Sequence, residues 1–340
     1  MRKMAVIRKI DAIDPINGAD VIECATIGGW KVVVKKGEYT VGDLAVYCEI
    51  DSWMPTELAA FLSKGKEPRE FEGIKGERLR TVKLRGQLSQ GLLLWRQLAL
   101  DKVGEIYEGM DVSDLLGIVK WEMPMNAQLA GMAKGNFPSL IPKTDQERVQ
   151  NLVHEVISAS EAGMKFEVTE KLEGSSMTCY LIDGVFGVCS RNLDLKETVD
   201  NTFWQVARRD DIEGKMWASP PGGDFAIQGE LIGPGIQGNI YKLSKPEFWV
   251  FDVYIISGGY YLSPSNRREF IKVMGLLHVP VMVEDYELSG AGGIEGLLSF
   301  AEAKSVIQLQ IEREGIVFKE INGGMTFKVI SNKYLLGENA

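Results

Sequence analysis

Lys171 is the residue of this sequence whose surroundings most suggest chemistry. It ends the alternating run Phe166-Glu-Val-Thr-Glu-Lys171 and opens the pattern Lys171-x-Glu173-Gly174, so acidic residues lie on both sides of it. A lysine amine attacks an electrophile only when it is neutral, and its ordinary pKa is about 10.4. Lys171 is therefore either a covalent nucleophile or an ordinary solvated lysine before a turn. The short pattern alone does not decide, because chance supplies such patterns often.

Further motifs follow Lys171 in a fixed order. They are Ser190-Arg-Asn192, Gln228-Gly-Glu-Leu-Ile-Gly233, Phe248-Trp-Val-Phe-Asp-Val-Tyr254, Glu314-Gly-Ile-Val-Phe-Lys319 and Phe327-Lys-Val-Ile-Ser-Asn-Lys333. With Lys171, this set resembles the motifs of the covalent nucleotidyltransferase superfamily, which holds polynucleotide ligases and mRNA capping enzymes. The resemblance covers roughly residues 138–333. An ordered set is far more specific than any one of its members.

Within that superfamily the sequence is most similar to the ATP-dependent RNA ligases that carry an OB domain ahead of the catalytic domain. Only residues 334–340 follow Lys333. We therefore expect any accessory domain to precede the catalytic one, unlike the carboxy-terminal OB domain of DNA ligases and capping enzymes.

The resemblance implies a three-step reaction. Lys171 attacks the α-phosphate of ATP and expels pyrophosphate, which leaves a lysyl-AMP. AMP then passes to the 5′-phosphate end of an RNA, and a 3′-hydroxyl displaces AMP to seal the strand. We expect sealing at nicks in a duplex rather than between free ends. Lowering the lysine pKa by about three units costs roughly 4 kcal/mol. We expect a bound Mg²⁺ and the nearby Lys328 to provide that shift.

The carboxylates of the motifs are expected to hold the metal. The resemblance implies that Glu230 and Glu314 position Mg²⁺ or Mn²⁺, directly or through its waters, since Mg²⁺ keeps much of its hydration shell. Glu173 assists them, although many relatives have aspartate at this position. A second lysine of phage-type ligases is replaced here by Ile330, and Lys333 is a possible substitute.

The remaining motif residues are expected to contact the nucleotide or the RNA end. The resemblance implies an α-phosphate contact for Lys328, a ribose or RNA-end contact for Arg191, a position near the AMP phosphate for Ser176, adenine contacts for Phe251 and Ile316, and cofactor contacts for Glu170, Arg148 and Lys333. The alternatives are core packing for Phe251 and Ile316 and a helix-surface position for Arg148.

One motif points to a different class of protein. Gly233-Pro-Gly235-Ile-Gln-Gly238 fits the dinucleotide-binding pattern and has Asp252 about 20 residues further on. The residues that follow it predict no amphipathic helix, and the flanking strands look antiparallel, so we interpret it as a loop.

The patterns predict an α+β protein with an amino-terminal OB-type β-barrel and an antiparallel-sheet nucleotidyltransferase (ATP-grasp-like) domain. We place the OB domain at residues 1–122, a linker rich in Met, Gly, Pro and Asn at 123–140, and the catalytic domain at 141–340. Expected strands are 30–35, 44–50, 78–86, 91–95, 225–232 and 248–256. Expected helices are 198–209, 263–274 and 294–305. Hairpins are expected at Asp183-Gly184 and around residues 322–324.

The predicted OB domain carries a basic segment. Arg78, Arg80, Lys83 and Arg85 fall within one strand-like run, and OB folds bind nucleic acid strands through such faces together with stacking aromatic residues. We expect this patch to bind RNA. The alternative is a solvated strand face.

Composition limits the remaining choices. The 340 residues carry a net charge of −9 and contain two histidines, which disfavours a His-based triad or a multi-His zinc site. The four cysteines have no metal-type spacing and indicate a reducing intracellular compartment such as the cytoplasm. No run predicts a membrane span, and we expect a monomer. A DNA ligase, a capping guanylyltransferase and a non-catalytic RNA-binding protein of the same fold stay open as alternatives.

Overall fold

The computed structural model describes residues 2–122, 131–219, 221 and 223–337. The chain forms two compact units, Met1–Pro124 and Met125–Ala340. Residues 123–130 of the expected linker lie outside the described residues. Its later part contains a strand, Ala133–Asn136, which pairs within the second unit.

The first unit consists mainly of short β-strands. Its elements are β1 Ala5–Lys9, β2 Ala12–Pro15, β3 Ile22–Ile27, β4 Trp30–Lys35, β5 Leu44–Cys48, β6 Ser52–Pro55, α1 Thr56–Ala59, β7 Arg69–Phe71, β8 Ile74–Arg78, β9 Val82–Leu84, β10 Gln87–Ser89, β11 Leu92–Trp95, α2 Gln97–Val103 and β12 Val119–Lys120. They form sheets of order β1-β5-β11, β2-β3-β4, β9-β10 and β12-β6-β8-β7. Alternate residues of β4 are buried, as a strand with one face on a core requires.

The basic segment is not the single strand expected. Strand β8 ends at Arg78, and Val82–Leu84 begins a separate hairpin whose turn contains Arg85 (φ 49°) and Gly86 (φ 83°). Leu79 interrupts the run because its backbone bonds Asp51 and Ser52. The expected strand 78–86 is therefore wrong.

The second unit mixes strands and helices. Its strands are β13 Ala133–Asn136, β14 Glu147–Arg148, β15 Lys165–Lys171, β16 Ser175–Ile182, β17 Val185–Cys189, β18 Leu193–Leu195, β19 Phe225–Ile232, β20 Glu247–Ile255, β21 Tyr260–Tyr261, β22 Leu277–His278, β23 Val281–Glu287, β24 Gly315–Glu320 and β25 Thr326–Ile330. Its helices are α3 Val153–Glu161, α4 Thr202–Arg209, α5 Ile212–Ala218, α6 Pro264–Val273, α7 Gly293–Ala301 and α8 Asn332–Leu335.

These strands form two largely antiparallel sheets. One has the order β13-β18-β17-β16-β19-β20-β21 with β22 beside β20, and the other has the order β14-β25-β24-β15-β23. Helices α4, α5 and α6 pack their apolar side chains on the first sheet, and α3 and α7 pack on the second. Burying one apolar face of each sheet under helices supplies the main stabilising term of the unit.

Local sequence signals explain several element ends. Asp183 (φ 49°) and Gly184 (φ 74°) form the turn between β16 and β17, which confirms the predicted hairpin. Helix α4 begins at Thr202, later than expected, because the Asn201 side chain accepts hydrogen bonds from the amides of Phe203 and Trp204. Helix α6 begins with Pro264, as predicted.

The glycine-rich motif after β19 is a loop. Residues 233–246 contain turns and no helix, and the flanking strands β19 and β20 are antiparallel. A Rossmann dinucleotide site needs a helix directly after a parallel strand, so this structure excludes it here.

Candidate active site

Lys171 lies at the end of β15, where it meets a carboxylate from the neighbouring strand connection. Its Nζ donates a hydrogen bond of 2.7 Å to Oε1 of Glu314. The pairing of β15 with β24 places Lys171 opposite Gly315, directly after Glu314. Any Cβ at Gly315 would lie 2.2 Å from the Val329 carbonyl oxygen, so the close strand packing here requires glycine.

Glu230 brings a second carboxylate from the other sheet. It lies on β19 directly opposite Ser176 of β16. Burial, opposed by the charge of Lys171 and reinforced by that of Glu314, raises the pKa of Glu230 to about 8. The carboxylates of Glu230 and Glu314 therefore lie close enough to repel each other.

Glu173 is held beside this pair. Its backbone amide donates a 2.8 Å hydrogen bond to the Tyr241 hydroxyl. Burial, and then the charge of Glu314, raise the pKa of Glu173, whereas a hydrogen bond from the Tyr334 hydroxyl lowers it. Both tyrosines therefore support the Glu173 segment.

The carboxylates of Glu314 and Glu230 favour the charged form of the Lys171 amine. Burial lowers the pKa of this amine, but the attraction of Glu314 and Glu230 outweighs burial and leaves the pKa raised. The expected lowering of this pKa is thus not a property of the protein groups alone. Lowering the pKa of Lys171 requires positive charge that neutralises the carboxylates of Glu314 and Glu230.

A carboxylate that the sequence did not suggest links two of the predicted cations. Asp145 lies 2.9 Å from Lys328 Nζ and 3.5 Å from Arg191 Nη2. Lys328 is on the strand face of Val317 and Thr169, the same face as Lys171. The fold therefore gathers predicted phosphate-binding groups from both sheets. The region that Lys171, Glu230, Lys328 and Arg191 border is called the cleft.

Arg148 does not occupy the helix-surface position that was the alternative for it. It lies on strand β14 opposite Lys328 and is 5% exposed, so it is not a helix-surface residue. Its positive charge lowers the pKa of Lys171, which places Arg148 near that lysine.

Two predicted nucleotide contacts face away from Lys171. Ile316 and Glu170 are opposite each other on β24 and β15, and both lie on the other face of the sheet, because side chains alternate along a strand. Ile316 is fully buried in the core with Phe166 and Phe327. The Glu170 carboxylate accepts a hydrogen bond of 2.8 Å from the Val306 amide. The predicted adenine contact of Ile316 therefore conflicts with its position in the core, whereas Val317 shares the face of Lys171.

Lys333 and Phe251 occupy different surroundings. Lys333 is on α8, and its ammonium lies 3.9 Å from Glu302. Phe251 packs partly buried against the cluster that contains Leu172 and Tyr241. Phe251 is thus close to the end of the strand that carries Lys171, whereas Lys333 is paired with Glu302.

A cavity of about 290 Å³ opens in the same unit. Its lining includes residues 142–146, Asp252, Tyr261, Arg267 and Lys319. Lys319 lies on the face of β24 that carries Val317, so the cavity borders the same sheet face as Lys171. Its volume is close to the lower limit of small-molecule sites.

The predicted RNA-binding residues divide into two groups. The Arg78 guanidinium bonds Asp51 at 2.6 Å and stacks 3.9 Å from the Trp121 ring centre. The side chains of Arg80, Lys83 and Arg85 are exposed. Arg78 therefore has structural contacts, whereas the other three point to solvent within their unit.

Sequence reasoning missed Asp145, Tyr241, Tyr334 and Val317. The spacing of Val317 gave a signal, since period-two alternation from Gly315 places it on the face of Lys171. The others have no motif, because their contacts are with residues distant in the chain.

The four cysteines are buried free thiols, as expected. No helix of the described residues is both long and apolar enough to cross a bilayer.

The fold and this site define a covalent nucleotidyltransferase of the lysine type. A sequence family described as an OB-fold domain matches residues 4–95, and one described as RNA ligase matches residues 164–334. The chain belongs to the RNA ligase family, and the predicted OB domain and antiparallel-sheet domain are confirmed.

Solved structures of Naegleria gruberi RNA ligase are similar to this chain throughout. A lysine-to-alanine mutant with ATP and Mn is 43% identical, covers 98% of both chains and has a TM-score of 0.90. A glutamate-to-alanine mutant with AMP and Mn has the same identity, coverage and TM-score. No curated protein matches the chain.

Proposed function

We propose that this RNA ligase uses ATP and a divalent cation to join 3′-hydroxyl and 5′-phosphate RNA ends, acting at nicks in duplexes through a lysyl-AMP at Lys171. One observation carries the proposal. The Lys171 amine is paired with Glu314, with Glu230 beside them on a second sheet. Similarity to an RNA ligase solved with ATP and Mn supports the choice of nucleotide and metal.

The acidic groups fit a hydrated cation. Glu173, Glu230 and Glu314 all place a carboxyl group near Lys171, and the charge of Glu314, in addition to burial, raises the pKa of the other two. Within the described ranges, no three His, Cys, Asp or Glu side chains are arranged to hold one ion directly. Contacts through water suit Mg²⁺, which dehydrates reluctantly.

A bound Mg²⁺ or Mn²⁺ supplies positive charge that neutralises these carboxylates and the phosphate oxygens. Without the pull of the carboxylates, burial and Arg148 favour the neutral amine of Lys171. Glu314 Oε1, at 2.7 Å from Nζ, is placed to accept the departing proton.

The neutral amine then attacks the α-phosphorus. A nitrogen–phosphorus bond forms, the bond from the α-phosphorus to the α–β bridging oxygen breaks, and pyrophosphate leaves with that electron pair. The nitrogen then gives its second proton to solvent, which leaves the lysyl-AMP. Lys328 stabilises charge on the α-phosphate, and Ser176 and Arg191 contact the nucleotide or the RNA end. Val317 and Phe251 flank the adenine.

We assign RNA contact to residues 1–122, chiefly Arg80, Lys83 and Arg85, and adenylyl transfer to residues 141–340. Residues 123–140 connect the two functions. The protein acts as a monomer in a reducing compartment, where its buried thiols stay reduced.

Incubation with α-labelled ATP and Mg²⁺ tests the covalent step. The wild-type chain should acquire label, and Lys171→Ala should acquire none. Lys165→Ala is the matched control, because Lys165 begins the same strand and is paired with Glu287 instead. A wild-type protein that stays unlabelled while binding RNA would favour the non-catalytic alternative.

Defined nicked duplexes test the substrate. We expect sealing when the 3′-hydroxyl strand is RNA, and slower sealing of the same two strands without a complement. Equal sealing of an all-DNA nick would favour a DNA ligase. Equal labelling by GTP would favour a capping enzyme.

A further inference from the structure

We propose that Asp145 is a resident counter-ion of the phosphate-binding cations, and that nucleotide phosphate must displace its carboxylate from Lys328 and Arg191. This inference rests on the proposed function, in which those two residues bind the nucleotide. It adds a residue that controls how tightly the nucleotide is held.

The geometry of one carboxylate carries the inference. Oδ1 of Asp145 lies 2.9 Å from Lys328 Nζ, and Oδ2 lies 3.5 Å from Arg191 Nη2. Lys328 belongs to β25 of the five-stranded sheet, whereas Arg191 follows β17 of the other sheet. The two oxygens of the Asp145 carboxylate therefore contact one cation from each sheet, and a bound phosphate would place its own oxygens at the same cations.

The segment that carries Asp145 is fixed at both ends. The Pro142 carbonyl accepts a 2.9 Å hydrogen bond from Gln228 Nε2 on β19. Lys143 Nζ donates a 2.7 Å hydrogen bond to Asn192 Oδ1, next to Arg191. On the other side, Arg148 pairs with Lys328 in the β14–β25 ladder. Asp145 is therefore held over the cleft by its neighbours.

Exposure shows why the counter-ion is both useful and replaceable. The Lys328 side chain is only 11% exposed, so its charge needs a partner when no nucleotide is bound. Asp145 is 29% exposed and lies on a loop, so it can turn towards water. A phosphate and the Asp145 carboxylate are both negatively charged, so they cannot bind Lys328 and Arg191 at the same time.

Removing the carboxylate should strengthen nucleotide binding. Because Asp145 is partly screened by solvent, we expect Asp145→Asn to lower the dissociation constant for ATP by about 3- to 10-fold. Asp145→Glu keeps the charge and should stay within about two-fold of the parent.

Equilibrium binding of ATP with Mn²⁺ tests this, in a Lys171→Ala background that cannot form the covalent adduct. Asp183→Asn is the matched control, because Asp183 is exposed in the β16–β17 turn. Thermal unfolding checks that each variant is folded, and Asp145→Ser replaces Asp145→Asn if the latter is not.

Tighter binding by the Asn or Ser variant, with no change for Glu and for Asp183→Asn, supports the inference. Unchanged binding overturns it, and weaker binding also does so, since Asp145 would then position the cations for ATP. Labelling of the wild type by α-labelled ATP separates the two levels. If the wild type is labelled but the dissociation constants for ATP of the Asp145 variants equal that of their parent, only the counter-ion role fails. If it is neither labelled nor able to bind ATP, the proposed function fails as well.

Discussion

Lys171 Nζ and Glu314 Oε1 are 2.7 Å apart although the residues are separated by 143 positions in the chain. Two adjacent antiparallel strands create this contact, because β15 ends where β24 begins. The pair favours the charged form of Lys171, since the attraction of Glu314 and Glu230 outweighs the effect of burial and leaves the lysine pKa raised. In the proposed mechanism, Lys171 must therefore lose a proton before it can attack the nucleotide.

Glu314→Gln should have two opposite effects on lysyl-AMP formation. Loss of the negative charge lowers the pKa of Lys171 in the nucleotide-free enzyme, so at subsaturating ATP and metal the rise of the rate with pH should move to lower pH. Loss of a carboxylate near the metal should reduce the maximal rate by about 10²- to 10³-fold.

Single-turnover labelling across a pH series measures both effects of Glu314→Gln. Glu295→Gln, on the exposed side of α7, is the control. A lower rate with an unmoved pH profile would contradict the assignment of Glu314 as the group that sets the lysine pKa.

Ile316 and Val317 are neighbours with different predicted roles. Ile316→Ala should lower the free energy of unfolding by about 2–5 kcal/mol, because it opens a cavity in the core. Val317→Ala should raise KM for ATP by about 3- to 10-fold with a smaller loss of stability, because Val317 shares the face of Lys171. Thermal unfolding and labelling kinetics on both variants distinguish the roles. A larger KM effect for Ile316→Ala in folded protein would reverse them.

Much of this fold was predictable because its signals are local. Strands β4 and β19 have the predicted bounds, and Asp183-Gly184 forms the predicted turn. These features depend on side-chain alternation and on the positive φ that such turns need. The meeting of Lys171, Glu230 and Glu314 followed from the ordered motifs.

The remaining features depend on register and on distant contacts. A shift of one residue decides whether Ile316 or Val317 faces the cleft, and the motif alone does not set that choice. The Asp145–Lys328 contact joins residues 183 positions apart. The contact of Arg78 with Trp121 also joins residues that are distant in the chain. Such pairings have no signature in a single sequence.

The exposed basic residues of the first unit should determine salt-dependent RNA binding. Replacing Arg80, Lys83 and Arg85 together by Ala should weaken binding to a nicked RNA duplex and reduce the slope of log affinity against log salt by about 2–3. The reason is that binding releases fewer counterions from the RNA when fewer phosphates are contacted. Fluorescence anisotropy over a range of NaCl concentrations measures the slope.

Two comparisons make the RNA test specific. A triple replacement of Lys36, Lys66 and Lys102, which are also exposed in this unit, removes the same charge and should leave the slope near that of the wild type. Arg78→Ala should instead lower stability by about 1–2 kcal/mol, because Arg78 bonds Asp51 and stacks on Trp121. Equal slopes for the two triple variants would contradict a local RNA site.

His278 should make the second unit sensitive to acid. Its Nε2 accepts a 3.0 Å hydrogen bond from Arg267 Nε, and its Nδ1 lies 2.6 Å from the Val279 carbonyl oxygen, so the neutral ring with the proton on Nδ1 fits both contacts. Burial, and then the charge of Arg267, lower the pKa of His278 to about 4.

The sign follows from the lowered pKa of His278. Between about pH 6.5 and pH 4 the unfolded chain binds the proton and the folded chain does not, so stability is lost as the pH falls through this range. We expect a loss of about 1–3 kcal/mol from this residue. His278→Gln keeps an acceptor for Arg267 but does not titrate, so its stability should fall less than that of the wild type between pH 7 and pH 4.5. His154→Gln is the control, and urea unfolding at both pH values provides the measurement. Parallel losses in the wild type and His278→Gln would show that another group causes the acid sensitivity.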